Sequence, residues 1–313
     1  MPFLIILSLL FSLTVLYFII CLVIFIMAFA RRKDYDWLST KSLQKTPWRD
    51  FADKIPSNYA WLKANNAKDF EITTFDGLKL KGKWVETKNA KGTIIICHGY
   101  RGNYIGDYGI VFEAYKNFGF NLLMFRHRAH GESQGSFITF GAKEHKDLLS
   151  IIKYHNETFG DIPLFVSGLS MGASTVLYIV DKDLPKNVKG VTADSSFTSP
   201  YDIVLKVIND RLKINSEFLM FGVNFWCKLL AEFDLKEYSS ENTTKNAKVP
   251  ILFIHGGADD FVPKEMTIKA YNACATDKEL LIIDGAGHGL GYIVEPEKVT
   301  LALTKFFNKY LNK

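Results

Sequence analysis

Gly168-Leu169-Ser170-Met171-Gly172 is the stretch whose residue types and spacing could do chemistry. An apolar run at 163–167 precedes it and a helix-forming run at 173–181 follows. In that setting Gly-x-Ser-x-Gly makes a turn tight enough to strain the serine backbone. Side chains at the flanking glycines would strike the neighbouring strand and helix. Such a turn lifts the Ser170 hydroxyl clear of a sheet as a candidate nucleophile. It also brings the amide of Met171 to where a negative oxygen could be held.

A serine hydroxyl is a poor nucleophile until a base takes its proton. His288, in Gly285-Ala286-Gly287-His288-Gly289, is the candidate base, with small neighbours that let a loop carry the imidazole towards Ser170. The base needs a carboxylate to fix its tautomer and stabilise the imidazolium. Asp259, after a late apolar run, is the best-placed acid; Asp260 beside it and Asp194 after an earlier run are the alternatives. Asp194 also reads as a carboxylate capping the turn that follows it. The other six histidines read as structural, with His98 and His255 ending strands and bonding loops.

These groups need a sheet to hold them. Apolar runs at 70–75, 78–87, 93–98, 120–125, 163–167, 188–193, 250–255 and 279–284 predict eight strands. The first two are joined by the hairpin turn Asp76-Gly77. From the third onward the runs are almost wholly apolar, as in strands covered on both faces. Helical stretches near 106–118, 142–159, 171–180, 264–275 and 295–311 separate them, so the sheet is expected to be mostly parallel. The serine, acid and histidine then stand in that order, each at the carboxyl end of its own strand. Between the sixth and seventh strands lies a segment far longer than one crossover needs. Within it, about 198–242 reads as a helical insertion over the carboxyl ends of the strands. Its large apolar groups, Phe218, Phe221, Phe225 and Trp226 among them, are candidates to line an acyl or aryl pocket.

With His98-Gly99 after the third strand, these motifs resemble the α/β-hydrolase superfamily from about Phe70 to the end of the chain. The chain is similar in particular to bacterial membrane-anchored serine hydrolases with a helical lid, which grade into cinnamoyl-esterase-like and prolyl-oligopeptidase-like sequences. The resemblance implies an α/β fold and ester cleavage through an acyl-enzyme, with a peptidase or amidase on the same triad as the second reading. It implies Asp259 as the acid and Tyr100, just after His98-Gly99, as the second backbone oxyanion donor. It implies no metal or organic cofactor. Relatives often carry Asp-x-Arg-Gly-His-Gly after the fourth strand. Here the stretch is Arg126-His127-Arg128-Ala129-His130-Gly131, a departure in a loop expected to be structural. A non-catalytic membrane scaffold is the reading from another class, and the intact Ser170, Asp259 and His288 argue against it.

Residues 3–30 contain no charged side chain, and roughly 20 apolar residues suffice to cross a bilayer. Ala28-Phe29-Ala30 has the spacing of a signal cleavage site. The run is nevertheless about twice a signal core and lacks a basic residue before it, so a retained anchor is expected. Residues 31–68 read as a polar connector and 69–313 as the catalytic domain. Arg31, Arg32, Lys33, Lys41, Lys45 and Arg49 follow the span, which leans the domain towards the cytoplasm. Six basic against three acidic residues in 31–50, beside Tyr35, Trp37 and Trp48, suit an anionic headgroup region. Only +2 of the net +5 then remains for residues 51–313, which offers nucleic acid no basic patch. The four cysteines are scattered, with no zinc or disulfide spacing, and are expected as reduced, buried thiols.

Overall fold

The computed structural model of the protein describes residues 2–33 and 54–311. Tyr35, Trp37, Lys41, Lys45, Trp48 and Arg49 of the expected headgroup stretch lie outside the described residues. The eight strands are β1 (Lys68–Thr73), β2 (Lys79–Val85), β3 (Gly92–Cys97), β4 (Phe120–Phe125), β5 (Leu164–Leu169), β6 (Val188–Asp194), β7 (Ile251–Gly256) and β8 (Lys278–Ile283). They form one sheet in the order β1-β2-β4-β3-β5-β6-β7-β8. The β1–β2 and β2–β4 pairs are antiparallel and the rest parallel, as the two-sided apolar runs predict.

Twelve helices accompany the sheet among the described residues. They begin with α1 (Pro2–Phe29), α2 (Lys54–Ala64), α3 (Tyr104–Tyr108), α4 (Phe112–Asn117), α5 (Glu144–Phe159) and α6 (Met171–Leu177). After these come α7 (Pro200–Leu212), α8 (Glu217–Leu230), α9 (Ser240–Thr244), α10 (Lys264–Ala273), α11 (Gly291–Val294) and α12 (Pro296–Leu311). One face of the sheet packs on α12, α3 and α4 through Phe165, Phe306 and Phe307. The other packs on α5 and α6 through Ile95, Phe125, Ile151 and Val176.

The stretch expected as a polar connector contributes a helix of the folded body. Leu62 of α2 is buried in the first cluster, and the Asn58 side-chain amide donates to the Ile105 carbonyl at 3.1 Å. Phe112 lies 5.2 Å from the Trp61 ring. Too few apolar residues at helical spacing stand in this stretch to announce the helix.

A third cluster lies over the carboxyl ends of the strands. There α7 and α8 bury Ile203, Val204, Leu219 and Val223 with Phe197 and Met171. Cys21, Phe25 and Phe29 of α1 complete the same cluster. Helix α1 is long and apolar enough to cross a membrane, and its first fifteen residues, Pro2 to Leu16, are exposed. From Tyr17 on it packs against α8 and then the body. The Tyr17 hydroxyl donates to the Phe218 carbonyl at 2.7 Å and accepts from the Gly222 amide at 3.0 Å. Trp226 Nε1 donates to the Phe18 carbonyl at 2.9 Å. A Cβ on Gly222 would stand 2.9 Å from Cys21 Cβ, so glycine is what lets these two helices approach so closely. Past the helix, Ala30 pairs with Phe137, and the Arg31 amide donates to the Ser136 carbonyl at 2.8 Å.

Candidate active site

Ser170 occupies the turn between β5 and α6 with φ 55° and ψ −115°. A non-glycine residue in that region costs about 1–3 kcal/mol and persists only where its surroundings enforce it. They do so here. A Cβ on Gly168 would fall inside the Gly172 carbonyl, and one on Gly172 inside the Cys97 carbonyl of β3. The Ser170 amide donates to the Asp194 carbonyl at 2.8 Å, which ties the turn to the end of β6.

His288 and Asp259 meet. His288 Nδ1 donates to Asp259 Oδ2 at 2.7 Å, the bond that selects the tautomer with Nε2 free to accept a proton. Asp259 is itself held from below, with Oδ1 accepting the amides of Phe261 at 3.0 Å and Val262 at 2.9 Å. His255 Nε2 stands 3.2 Å from Oδ2 and donates to the Val262 carbonyl at 2.9 Å. Burial pushes the Asp259 carboxyl up. The hydrogen bonds from His255, His288 and the Val262 amide outweigh it and leave the group below the usual carboxylate range.

The loop that carries His288 reaches the end of β5. A Cβ on Gly289 would stand 3.1 Å from Leu169 Cδ1, so the histidine loop lies on the strand residue before Ser170. The Phe261 ring lies edge-on to the imidazole at 5.1 Å. Of the alternative acids, Asp194 bonds Ser195 Oγ at 3.0 Å and Asp260 offers its carbonyl to Lys206 at 2.9 Å. The carboxylate on His288 is that of Asp259.

The loop after β3 brings Tyr100 to the same end of the sheet. A Cβ on Gly99 would lie 3.4 Å from Ser170 Cβ, so this loop lies against the serine turn. The Tyr100 ring stacks on Phe140 at 4.8 Å, and its hydroxyl bonds the Ala28 carbonyl. Arg101 donates to the Met27 carbonyl at 2.6 Å, while its amide donates to His130 Nε2 at 2.9 Å. Met171 is fully buried in the third cluster.

Sequence reasoning missed Asp107, whose Oδ2 accepts the Gly99 amide at 2.7 Å and so holds the Gly99–Tyr100 loop. Burial raises its carboxyl to about 6 against the pull of that bond. A carboxylate eight residues past Gly99, amid uncharged neighbours, was the available signal. Asp107 and Asp194 also border a cavity of about 40 Å³ beneath the site, with Tyr108, Tyr115, Ser167 and Thr192.

The expected pocket residues are placed differently. Phe218, Phe221 and Phe225 are 61%, 73% and 42% exposed, and Trp226 is turned onto α1. Both faces of α8 are apolar, and Leu219, Met220, Val223 and Cys227 are the ones that pack inward. The departing Arg126–Gly131 loop is structural. Arg128 is buried between Asp147, at 2.6 Å, and Asp76, at 3.0 Å, and Ala129 takes φ 59°, a region that favours glycine.

Comparison with known proteins gives this fold and order a family. The Pyrococcus furiosus esterase Pf2001 superposes with a TM-score of 0.64 at 26% identity, over 80% of this chain and 96% of that one. The chain belongs to the α/β-hydrolase superfamily. A family model described as serine aminopeptidase, S33, matches residues 88–216 of this α/β hydrolase. The uncharacterized protein YqkD of Bacillus subtilis is 27% identical over 71% of this chain and 73% of its own length. The uncharacterized membrane protein YNL320W of Saccharomyces cerevisiae is 27% identical over 66% of this chain and 68% of its own.

Proposed function

We propose that this α/β hydrolase is a membrane-anchored serine hydrolase that cleaves carboxylic esters by acyl transfer. Ser170 Oγ attacks the ester carbonyl while His288 Nε2 takes its proton, with Asp259 holding the imidazole and balancing its charge. The amides of Met171 and Tyr100 receive the oxyanion. The protonated His288 then gives its proton to the leaving alcohol, and water cleaves the acyl-enzyme through the same histidine. One observation carries this reading: the 2.7 Å His288–Asp259 bond beside a serine held at φ 55°. The likeness to an esterase supports the ester class.

In this reading residues 3–30 are the anchor, 31–68 the juxtamembrane connector and 69–313 the catalytic domain, with about 198–242 as a lid. Arg31, Arg32 and Lys33 set the domain on the cytoplasmic side. Fluorophosphonate labelling of the full-length protein tests the chemistry. Ser170→Ala should abolish labelling together with turnover of p-nitrophenyl butyrate, and labelling that persists would remove Ser170 from the role. The aminopeptidase description of the matching family model favours a second reading, amide cleavage on the same residues. Faster turnover of aminoacyl-arylamides than of matched esters would choose it.

A further inference from the structure

Helix α8 carries two apolar faces. Phe218, Phe221, Phe225 and Leu229 recur at helical spacing on its outer side and are 61%, 73%, 42% and 58% exposed. A stripe of three phenylalanines and a leucine is unfavourable in water and marks a face that something covers. The stripe runs beside α1, whose Ile19, Ile20, Val23 and Ile26 are exposed in turn. The Phe18 ring meets Phe225 edge-on at 5.1 Å, so the two helices present one continuous apolar surface.

The length of α1 says what covers it. The free part, Pro2 to Leu16, is about 22 Å long at 1.5 Å per residue, whereas a bilayer's hydrocarbon core is about 30 Å thick. A spanning α1 must therefore be sunk to about Leu22. That depth takes Tyr17, Phe18 and Cys21 below the interface, and with them the part of α8 they hold. Lys228, three residues past Phe225 on the same side of α8, pairs with Asp234 at 2.6 Å, so its charge is partnered. Exposed Arg211 and Lys213 stand beside Leu212 and Ile214 where α7 ends before α8, a pattern suited to anionic headgroups.

We infer that the outer face of α8 is immersed in the lipid bilayer alongside α1, so that the protein enters the membrane with two helices, one spanning and one lying in the leaflet next to its body. This rests on the anchoring part of the proposed function and leaves the ester chemistry aside.

Depth-dependent quenching tests it on the full-length protein in phosphatidylcholine vesicles. An environment-sensitive fluorophore is attached at Phe221→Cys or Leu229→Cys, at Leu9→Cys in α1 and at Lys88→Cys beyond β2, beside the amino end of β4. The four native cysteines are buried, so the introduced thiols react first. Acyl-chain-brominated lipid should quench the labels at 221, 229 and 9 at least twofold and leave that at 88 unchanged. Quenching at 9 without quenching at 221 and 229 would overturn the inference and leave the anchor standing. Absence of quenching at all three would overturn both.

Discussion

The hydroxyl of Tyr100 donates to the carbonyl of Ala28 across 2.7 Å, joining the loop after β3 to the last turn of the apolar helix. Tyr100→Phe keeps the ring on Phe140 and the backbone amide but cuts this tie. One lost hydrogen bond of this kind is worth about 1 kcal/mol, so the melting temperature should fall by about 2–4 °C. In kinetics kcat should drop severalfold with KM little changed, because in the proposed mechanism the Tyr100 amide acts on the transition state. Equal kinetics in the two proteins would show that the loop holds its shape without the helix.

Removing residues 1–30 should harm the folded body itself. Cys21, Phe25 and Phe29 are fully buried, and each phenylalanine contributes about 1.5–3 kcal/mol by burial. The truncated chain should bind a hydrophobic dye and melt well below the full-length protein in the same detergent. An unchanged melting curve would mean that the helix only tethers.

Asp259→Asn should lower kcat by about three to four orders of magnitude, because an amide can hold the wrong tautomer of His288. The stability of this variant also has a pH signature. The folded carboxyl lies below its unfolded value, so its contribution is present above about pH 4 and is lost as pH falls through the folded value. The gap in melting temperature between wild type and variant should therefore narrow towards pH 3. A gap that widens on acidification would reverse the assigned direction.

Asp107 has the opposite sign. With a folded value of about 6, its carboxyl stabilises the fold below about pH 4, and that contribution is lost as pH rises to about 6 and beyond. The loss amounts to about 3 kcal/mol, set by the burial of the charge. Asp107→Asn retains an acceptor for the Gly99 amide and should melt at nearly the same temperature at pH 5 and pH 8, where wild type falls. A variant that tracks wild type at both values would clear Asp107 of the effect.

Gly172→Ala should yield little folded protein, since its methyl group would enter the space of the Cys97 carbonyl, which belongs to β3 and cannot retreat. Soluble yield and circular dichroism are the measures. A folded and active variant would mean that the turn has slack the packing does not suggest.

The sheet and the order Ser170, Asp259, His288 were legible because each rests on a local signal: two-sided apolar strands, a glycine-flanked serine and small residues around a histidine. The faces of α8 were not. Leu219, Met220, Val223 and Cys227 on one side and Phe218, Phe221, Phe225 and Leu229 on the other are equally apolar, so helical periodicity cannot say which side meets the protein. The union of α1 with α8 was hidden for a different reason. It depends on hydrogen bonds between residues about 200 positions apart, such as Tyr17 and Phe218, and no local pattern encodes such a pairing.

The pairing of Ala30 with Phe137 and of Arg31 with Ser136 leaves no slack between the apolar helix and the folded body. A hydrolase on a loose leash could swing and sample the solution around it. Here the body is fixed to α1, so the direction of that helix sets the heading of the Ser170 turn.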